Sequence, residues 1–318
     1  MTTIHILTAD EHRPVTGDLA VCGFWFVALS SFAMKHGSCR FSERSIVIVG
    51  VGLIGGSIAA AVRKRFPECR VIGIGRNLGR LEAARKRGLL NACSDEISGA
   101  SIPEGSLGIV CLPVDQIAGA VRQLIDAGCE LITDAGSVKA GIYAALGNES
   151  SGLFIGSHPI AGSEQTGFEH SDADLFVNRL CVVTPMTTNA IKRARIISFW
   201  KSIGSTVQEM SPDDHDRVLA LTSHLPHIMA AVMSGCVSVE HLPLTGTGFR
   251  DTTRIAAGSS SLWTSIFLGN AMHCVESIDA AQRLLAEFRE AISEGDALRL
   301  KSLLESSAQL RKLLKPEQ

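Results

Sequence analysis

Residues 45–62 read Ser45-Ile46-Val47-Ile48-Val49-Gly50-Val51-Gly52-Leu53-Ile54-Gly55-Gly56-Ser57-Ile58-Ala59-Ala60-Ala61-Val62, and this stretch decides the fold. The continuous apolar run 45–49 has the composition of a strand buried on both faces. Three glycines in GxGxxG spacing follow at once, and 58–62 opens a helix. Gly50 permits the tight turn, Gly52 lets a pyrophosphate approach the backbone, and Gly55 allows the helix to pack closely on the strand. The helix N-terminus offers unpaired N–H groups and the positive end of a dipole. A second apolar strand at 70–74 follows where a βαβ unit needs it, so the glycines read as a dinucleotide cradle and not as a merely structural turn.

The end of that second strand governs cofactor choice. A carboxylate there would accept hydrogen bonds from the adenosine ribose of NAD and repel a 2′-phosphate. The chain has Gly73-Ile74-Gly75-Arg76-Asn77 instead, with Arg80 close behind. Guanidinium donors match phosphate geometry. The expected cofactor is therefore NADP, with NAD as the alternative.

Outward from this unit, further strands read at 107–112, 131–134, 153–157 and 180–184. The fold class is α/β: a doubly wound, Rossmann-type parallel sheet. The segments Pro113-Val114-Asp115, Asp134-Ala135-Gly136-Ser137-Val138-Lys139 and His158-Pro159-Ile160-Ala161-Gly162-Ser163-Glu164 fall at strand C-terminal ends, the edge where open α/β sheets bind ligands. After Met210 helical spacing takes over, as in 280–294 with Leu284, Leu285, Phe288, Ala291 and Ile292, and in 296–314. The expected organisation is a leader over 1–43, a dinucleotide-binding domain over 44–212 and an all-α domain over 213–318. That helical domain is thin, so it is expected to pack against a copy of itself as a homodimer.

Composition bounds the partners. The 318 residues carry 30 Lys+Arg against 32 Asp+Glu, a net charge of −2 that argues against a nucleic-acid binder. The apolar run 19–34 is shorter than the ~20 residues a bilayer needs and is preceded by Asp10, Glu11 and Asp18, so neither an anchor nor an export signal is expected. Translation starting at Met34 would leave the fold intact. Nine cysteines without a CxxC pair read as free thiols in a reducing cytoplasm.

His158, at a strand end and held out of helical conformation by Pro159, can take a proton from a substrate hydroxyl while hydride leaves the same carbon. Ser137 can hydrogen-bond that histidine or the substrate. His224 and His227, three apart, share a helix face, while His215 falls half a turn from His224 on a straight helix. No third ligand has convincing metal spacing, so no metal is expected. Pro226 should kink this helix and open a pocket between the histidines. In Gly248-Phe249-Arg250-Asp251-Thr252-Thr253-Arg254, two arginines four apart can hold a carboxylate, or Asp251 and Arg254 can form a surface pair.

The segments GVGLIGGS, TDAGSVK, HPIAGSEQTGFE, SHLPH and GFRDTTRIA with Trp263 downstream, in this order from residue 45, together resemble the prephenate and arogenate dehydrogenase family of tyrosine biosynthesis. The resemblance implies oxidative decarboxylation of a small-molecule substrate. His158 would accept the ring-hydroxyl proton with Ser137 in support, Arg254 would bind a substrate carboxylate, and His224, His227, Glu164 and Trp263 would line the substrate pocket. Gly50, Gly52, Leu53, Ile54, Gly55, Arg76 and Pro113 would hold the cofactor, and the helical domain would dimerise. Gly258-Ser259-Ser260-Ser261 replaces an acidic residue and proline common in the family, and Ser265 replaces a common aspartate. His227 favours prephenate as substrate, with arogenate or an aminated analogue as alternatives. Two other readings are an NADP-sensing module and a β-hydroxyacid dehydrogenase. The latter would need a lysine in the helical domain, and residues 213–272 contain none.

Overall fold

The computed structural model describes Phe41 and residues 43–147, 152–162, 165–187 and 189–314. The run 19–34, Met34 and Glu164 lie outside these residues.

Strand β1 (Ser45–Val49) is buried throughout and lies at the centre of a parallel sheet. Its apolar side chains alternate between two cores: Ile46 and Ile48 face Ile58 and Val62 of α1 (Leu53–Arg65), while Val47 and Val49 face the opposite layer. The one polar residue, Ser45, is buried without penalty because its hydroxyl meets that of Ser106 at 2.7 Å. β2 (Arg70–Ile74), α2 (Leu78–Lys86) and a short β3 (Ala92–Ser94) extend the sheet on one side. β4 (Leu107–Val110), α3 (Val114–Asp126) and β5 (Leu131–Asp134) extend it on the other, in the order β3-β2-β1-β4-β5. Helix α3 buries Ile117, Val121 and Leu124 at helical spacing against the second core.

The remaining strands correct the single parallel sheet expected from the sequence. After α4 (Ala140–Leu146), the chain touches β5 through a parallel bridge between Phe154 and Ile132 and then forms β6 (Gly156–Pro159). β7 (Leu180–Thr184) pairs with β6 antiparallel and, after α5 (Ala190–Ser202), with β8 (Thr206–Glu209) in parallel. The chain reverses so that Leu180 lies beside the end of β6, where the Ile160 N–H donates to the Leu180 carbonyl at 2.7 Å. β3 and β8 escaped the sequence reading because they are short, partly exposed edge strands without an apolar run. The expected strand 107–112 stops at Val110, before the turn into Pro113, which precedes α3.

The helical half begins with α6 (Pro212–Leu219), capped by Ser211 and opened by Pro212. Residues Ala220–His224 then form a π-helical turn, and α7 (Leu225–Gly235) resumes with Pro226 in its first turn. The helix runs on through the π-turn from Pro212 to Gly235, and Pro226 falls just past that turn, where the α-helical hydrogen-bond register is already broken and its missing N–H costs little. Each residue of a π-turn advances less around the axis than in an α-helix, so the half-turn offset between His215 and His224 shrinks and both become buried. α8 (Thr247–Thr253), α9 (Ser260–Gly269), α10 (Ala271–Glu294) and α11 (Ala297–Lys312) follow. The stripe expected along α10 and α11 faces solvent in one chain: Leu285 is 53% exposed, Ile292 64% and Leu310 70%.

Candidate active site

The glycine loop meets the geometric demands of a dinucleotide cradle. Gly50 has φ +95°, and a Cβ on it would lie 2.4 Å from the Cys111 carbonyl oxygen. A Cβ on Gly55 would lie 2.1 Å from the Gly50 carbonyl oxygen, so α1 approaches the turn as closely as only glycine allows. Around Gly52 there is open space. No side chain caps α1, which leaves the first-turn N–H groups, those of Leu53 and Ile54 among them, available to an anion. A cleft of about 1290 Å³ runs from Gly50 and Gly52 past Gly75 and Arg76. These residues fit a bound nicotinamide dinucleotide.

Arg76 is exposed on the cleft wall. Arg80 also lines it but is engaged, donating to Glu169 at 2.9 Å beside the Phe168 ring. Asp95 and Glu96, just after the unforeseen β3, are further lining residues. Pro113 precedes α3 as its N-cap; its neighbours Cys111 and Leu112 line the cleft.

At the end of β6 a second cluster forms. His158 is half-buried, and its Nδ1 lies 2.9 Å from Nε2 of His215, whose Nδ1 lies 2.7 Å from Oδ1 of Asp216. Burial first, then the proximity of His215, Lys139 and His224, push the His158 imidazole well below the ordinary histidine range. His215 is also lowered, chiefly by burial, against the opposing pull of Asp216. The strand is held by a fully buried ion pair: Lys139 Nζ donates to Asp134 and to the Ser157 carbonyl, the latter at 2.9 Å. Asp134 accepts in turn from the Ser157 and Gly136 N–H groups, both at 2.9 Å. Ser137 is half-buried in this turn, and His158 Nδ1 is taken by His215.

Asp216 also binds the two halves together. Its Oδ1 and Oδ2 accept the N–H groups of Lys139 and Ala140, each at 2.8 Å, at the start of α4. Asn270 donates to the Asp216 carbonyl at 2.7 Å and lies 3.1 Å from His224 Nδ1. Burial pushes His224 down to about 4. His227 stacks on Trp263 with ring centroids 3.6 Å apart and a 20° interplanar angle, and its buried Nδ1 has no hydrogen-bond partner among the described residues. A buried, unpaired imidazole nitrogen is a costly feature unless a ligand completes it. Gly258 makes room for this stack, since a Cβ there would meet Trp263 Nε1 at 2.8 Å. Arg254, at the end of α8, is exposed.

His158 and His215 are thus brought together across 57 residues, and His224, His227 and Trp263 form a neighbouring group. His215 and Asp216 were missed as site residues. The one sequence signal was the adjacent pair of a histidine and an acid in a helix rich in histidine.

Two family models match the chain: "Prephenate dehydrogenase, nucleotide-binding domain" over residues 58–209 and "Prephenate dehydrogenase, dimerization domain" over 211–306. The prephenate dehydrogenase of Bacillus subtilis is 35% identical over 80% of this chain and 71% of its own length. The cyclohexadienyl dehydrogenase of Zymomonas mobilis is 33% identical over 86% and 97%. Among solved structures, the A. aeolicus prephenate dehydrogenase in complex with hydroxyphenyl propionate and NAD+ superposes with a TM-score of 0.80 at 29% identity, covering 85% of this chain and 98% of that one. With a dinucleotide cradle, a strand-end histidine beside a helical half, and both halves matched in order, the chain belongs to the prephenate dehydrogenase family of oxidoreductases.

Proposed function

We propose that this protein is an NADP-preferring prephenate dehydrogenase that converts prephenate to 4-hydroxyphenylpyruvate by oxidative decarboxylation, with His158 as the proton acceptor. The observation that carries the reading is the His158 ring itself. It is half-buried, one nitrogen is committed to His215, and its surroundings hold it neutral, leaving the other nitrogen for a substrate hydroxyl. When bound, the dinucleotide supplies the hydride acceptor, held by Gly50, Gly52 and the first turn of α1. His158 Nε2 takes the ring-hydroxyl proton, and the ring carboxylate leaves as CO₂ as the product becomes aromatic. Arg254 anchors a substrate carboxylate, and His227, with its unpaired Nδ1 beside Trp263, orients the substrate. Ser137 contributes a hydroxyl next to the reacting centre.

Preference for NADP is supported by Arg76 on the cleft wall and by the missing carboxylate at Gly75. Self-association through the helical half, as a homodimer, is supported by the exposed leucines of α10 and α11 and by the match to a dimerization domain. The run Pro212–Gly235 is long and apolar enough to cross a membrane. Its buried face carries His215, Asp216 and His224, bonded to the rest of the protein, so we read it as a core helix.

The test is reduced-cofactor absorbance with prephenate or arogenate, each with NADP or NAD. Turnover of prephenate with a higher kcat/KM for NADP is expected. Converting Gly75 to Asp together with Arg76→Ser should reverse the cofactor preference. Equal or better use of NAD by the wild type rejects the role given to Arg76, and turnover of arogenate alone reassigns the substrate.

A further inference from the structure

We propose that Asp216 and His215 are positioning residues for His158: together they fix the tautomer in which its Nε2 is the free base, and His215 receives the positive charge when that base is used. The proposal rests on the reading of His158 as the proton acceptor.

The hydrogen-bond chain allows one proton arrangement. An ionised carboxylate only accepts, and both Asp216 oxygens already receive backbone N–H groups, from Lys139 and Ala140. His215 Nδ1, 2.7 Å from Oδ1, must therefore carry a proton and donate it. Its Nε2 is then a lone pair. His158 Nδ1, 2.9 Å away, must be the donor in that contact. The lone pair of His158 consequently sits on Nε2. Without Asp216 both imidazoles could reverse, and His158 would then present an N–H where a base is needed.

The surroundings also decide where the charge rests. The groups facing His158 are His215 of α6, Lys139 from the turn before α4 and His224 of the π-turn, and all three oppose a cation there. Around His215, Asp216 and Asp134 favour a cation and Lys139 opposes it, while burial opposes a charge on either ring. During turnover the substrate O–H breaks and an N–H forms at His158 Nε2. The N–H at His158 Nδ1 breaks and its proton forms an N–H at His215 Nε2, while His215 Nδ1–H stays on Asp216. One proton has entered and one positive charge lies between His158, again neutral, and the Asp216 carboxylate. When product leaves, the His158 Nε2 proton passes to water and the Nδ1 proton returns.

Nitrogen-15 NMR of histidine-labelled protein, free of substrate, reads the tautomer directly. The expected result is a protonated Nδ1 and an unprotonated Nε2 at His158, with loss of that preference in Asp216→Asn. His215→Gln keeps an acceptor for His158 Nδ1 but has no place for the proton. It should retain the tautomer, while kcat falls roughly 10–10³-fold, short of or equal to the usual worth of a positioned base. KM and cofactor Kd should stay near wild type, and the acid limb of the kcat profile should move in both variants. An unprotonated Nδ1 at His158 in the wild type overturns the proposal even if neither variant folds. So do folded Asp216→Asn and His215→Gln enzymes with wild-type kcat and acid limb. If His158→Asn is equally harmless, the base reading itself has failed. If His158→Asn is inactive while the other two are normal, only the relay has.

Discussion

The two halves of the chain bury their apolar residues in opposite ways. In the nucleotide-binding half, β1 is covered on both faces, and Ile46, Val47, Ile48, Ile58 and Val62 are each 0% exposed within a single chain. In the helical half, α11 buries no residue, and Leu285, Ile292 and Leu310 are more than half exposed. At roughly 25 cal/mol per Å² of apolar surface, such a stripe represents several kcal/mol of burial that one copy does not realise. The first half closes its core within one chain. The second leaves an apolar stripe that the proposed self-association would cover, and its contribution to the site depends on contacts through Asp216 and Asn270.

The sharpest way to test this division is at the junction. His158→Asn should slow the chemical step by roughly 10²–10⁴-fold, because Asn keeps a similar size but offers no base. The wild-type acid limb should lie below the ordinary histidine value, since burial, helped by the neighbouring His215, Lys139 and His224, depresses His158 and the neutral, active form persists to lower pH. The residual activity of the variant should lack that limb. A normal kcat would move the base to the helical side, to His224 or His227, and would erase the distinction drawn here.

Next in size is the buried pair inside the nucleotide-binding half. Lys139→Met leaves Asp134 charged and without its cation at 0% exposure, so unfolding free energy should drop by about 3–5 kcal/mol in denaturant titrations. A loss under 1 kcal/mol would mean that this half tolerates an uncompensated buried charge. Smaller again is Arg254→Gln, which should weaken substrate binding by roughly 1.5–3 kcal/mol while leaving cofactor Kd unchanged. An unaltered KM in the folded variant reassigns Arg254 to the surface.

The smallest effect on the nucleotide half should come from charging the other half's exposed stripe. Leu285→Glu with Leu310→Glu should give monomers in sedimentation velocity, yet cofactor affinity should remain within about twofold, surface changes being worth less than about 0.5 kcal/mol at a distance. A dimer that survives both charges would place the interface elsewhere.

Sequence reading served the two halves unequally, for physical reasons. Gly50 and Gly55 could be interpreted because the GxGxxG spacing is itself local: Gly50 takes φ +95° and Gly55 packs on the Gly50 carbonyl oxygen five residues back, while the second constraint on Gly50, the Cys111 carbonyl oxygen, comes from across the sheet. β2, β5 and β7 could be read because buried strands are continuous apolar runs. β3 and β8 lacked that signal. The partnership of His158 with His215 depends on how one domain docks on another, and on a π-turn that changes the face a histidine presents. Neither is written in local spacing. The same limit applied to Arg80, close to Arg76 in sequence but tied to Glu169 in space.

The buried pair Asp134–Lys139 also constrains how this sequence can drift over generations. Four bonds radiate from it to the backbone or between its members: to the Ser157 carbonyl, to the N–H groups of Ser157 and Gly136, and from Lys139 to Asp134. Changing either residue alone strands a charge. Changing both to apolar residues removes the charges but strips these partners from three backbone groups, two at Ser157 on the strand that carries His158 and one at Gly136, each unsatisfied group costing about 1–3 kcal/mol. The usual escape from a buried ion pair, replacement by two well-packed hydrophobic residues, is closed. The two positions therefore form an evolutionary ratchet, in which a structural solution, once adopted, removes the mutational steps by which it could be abandoned.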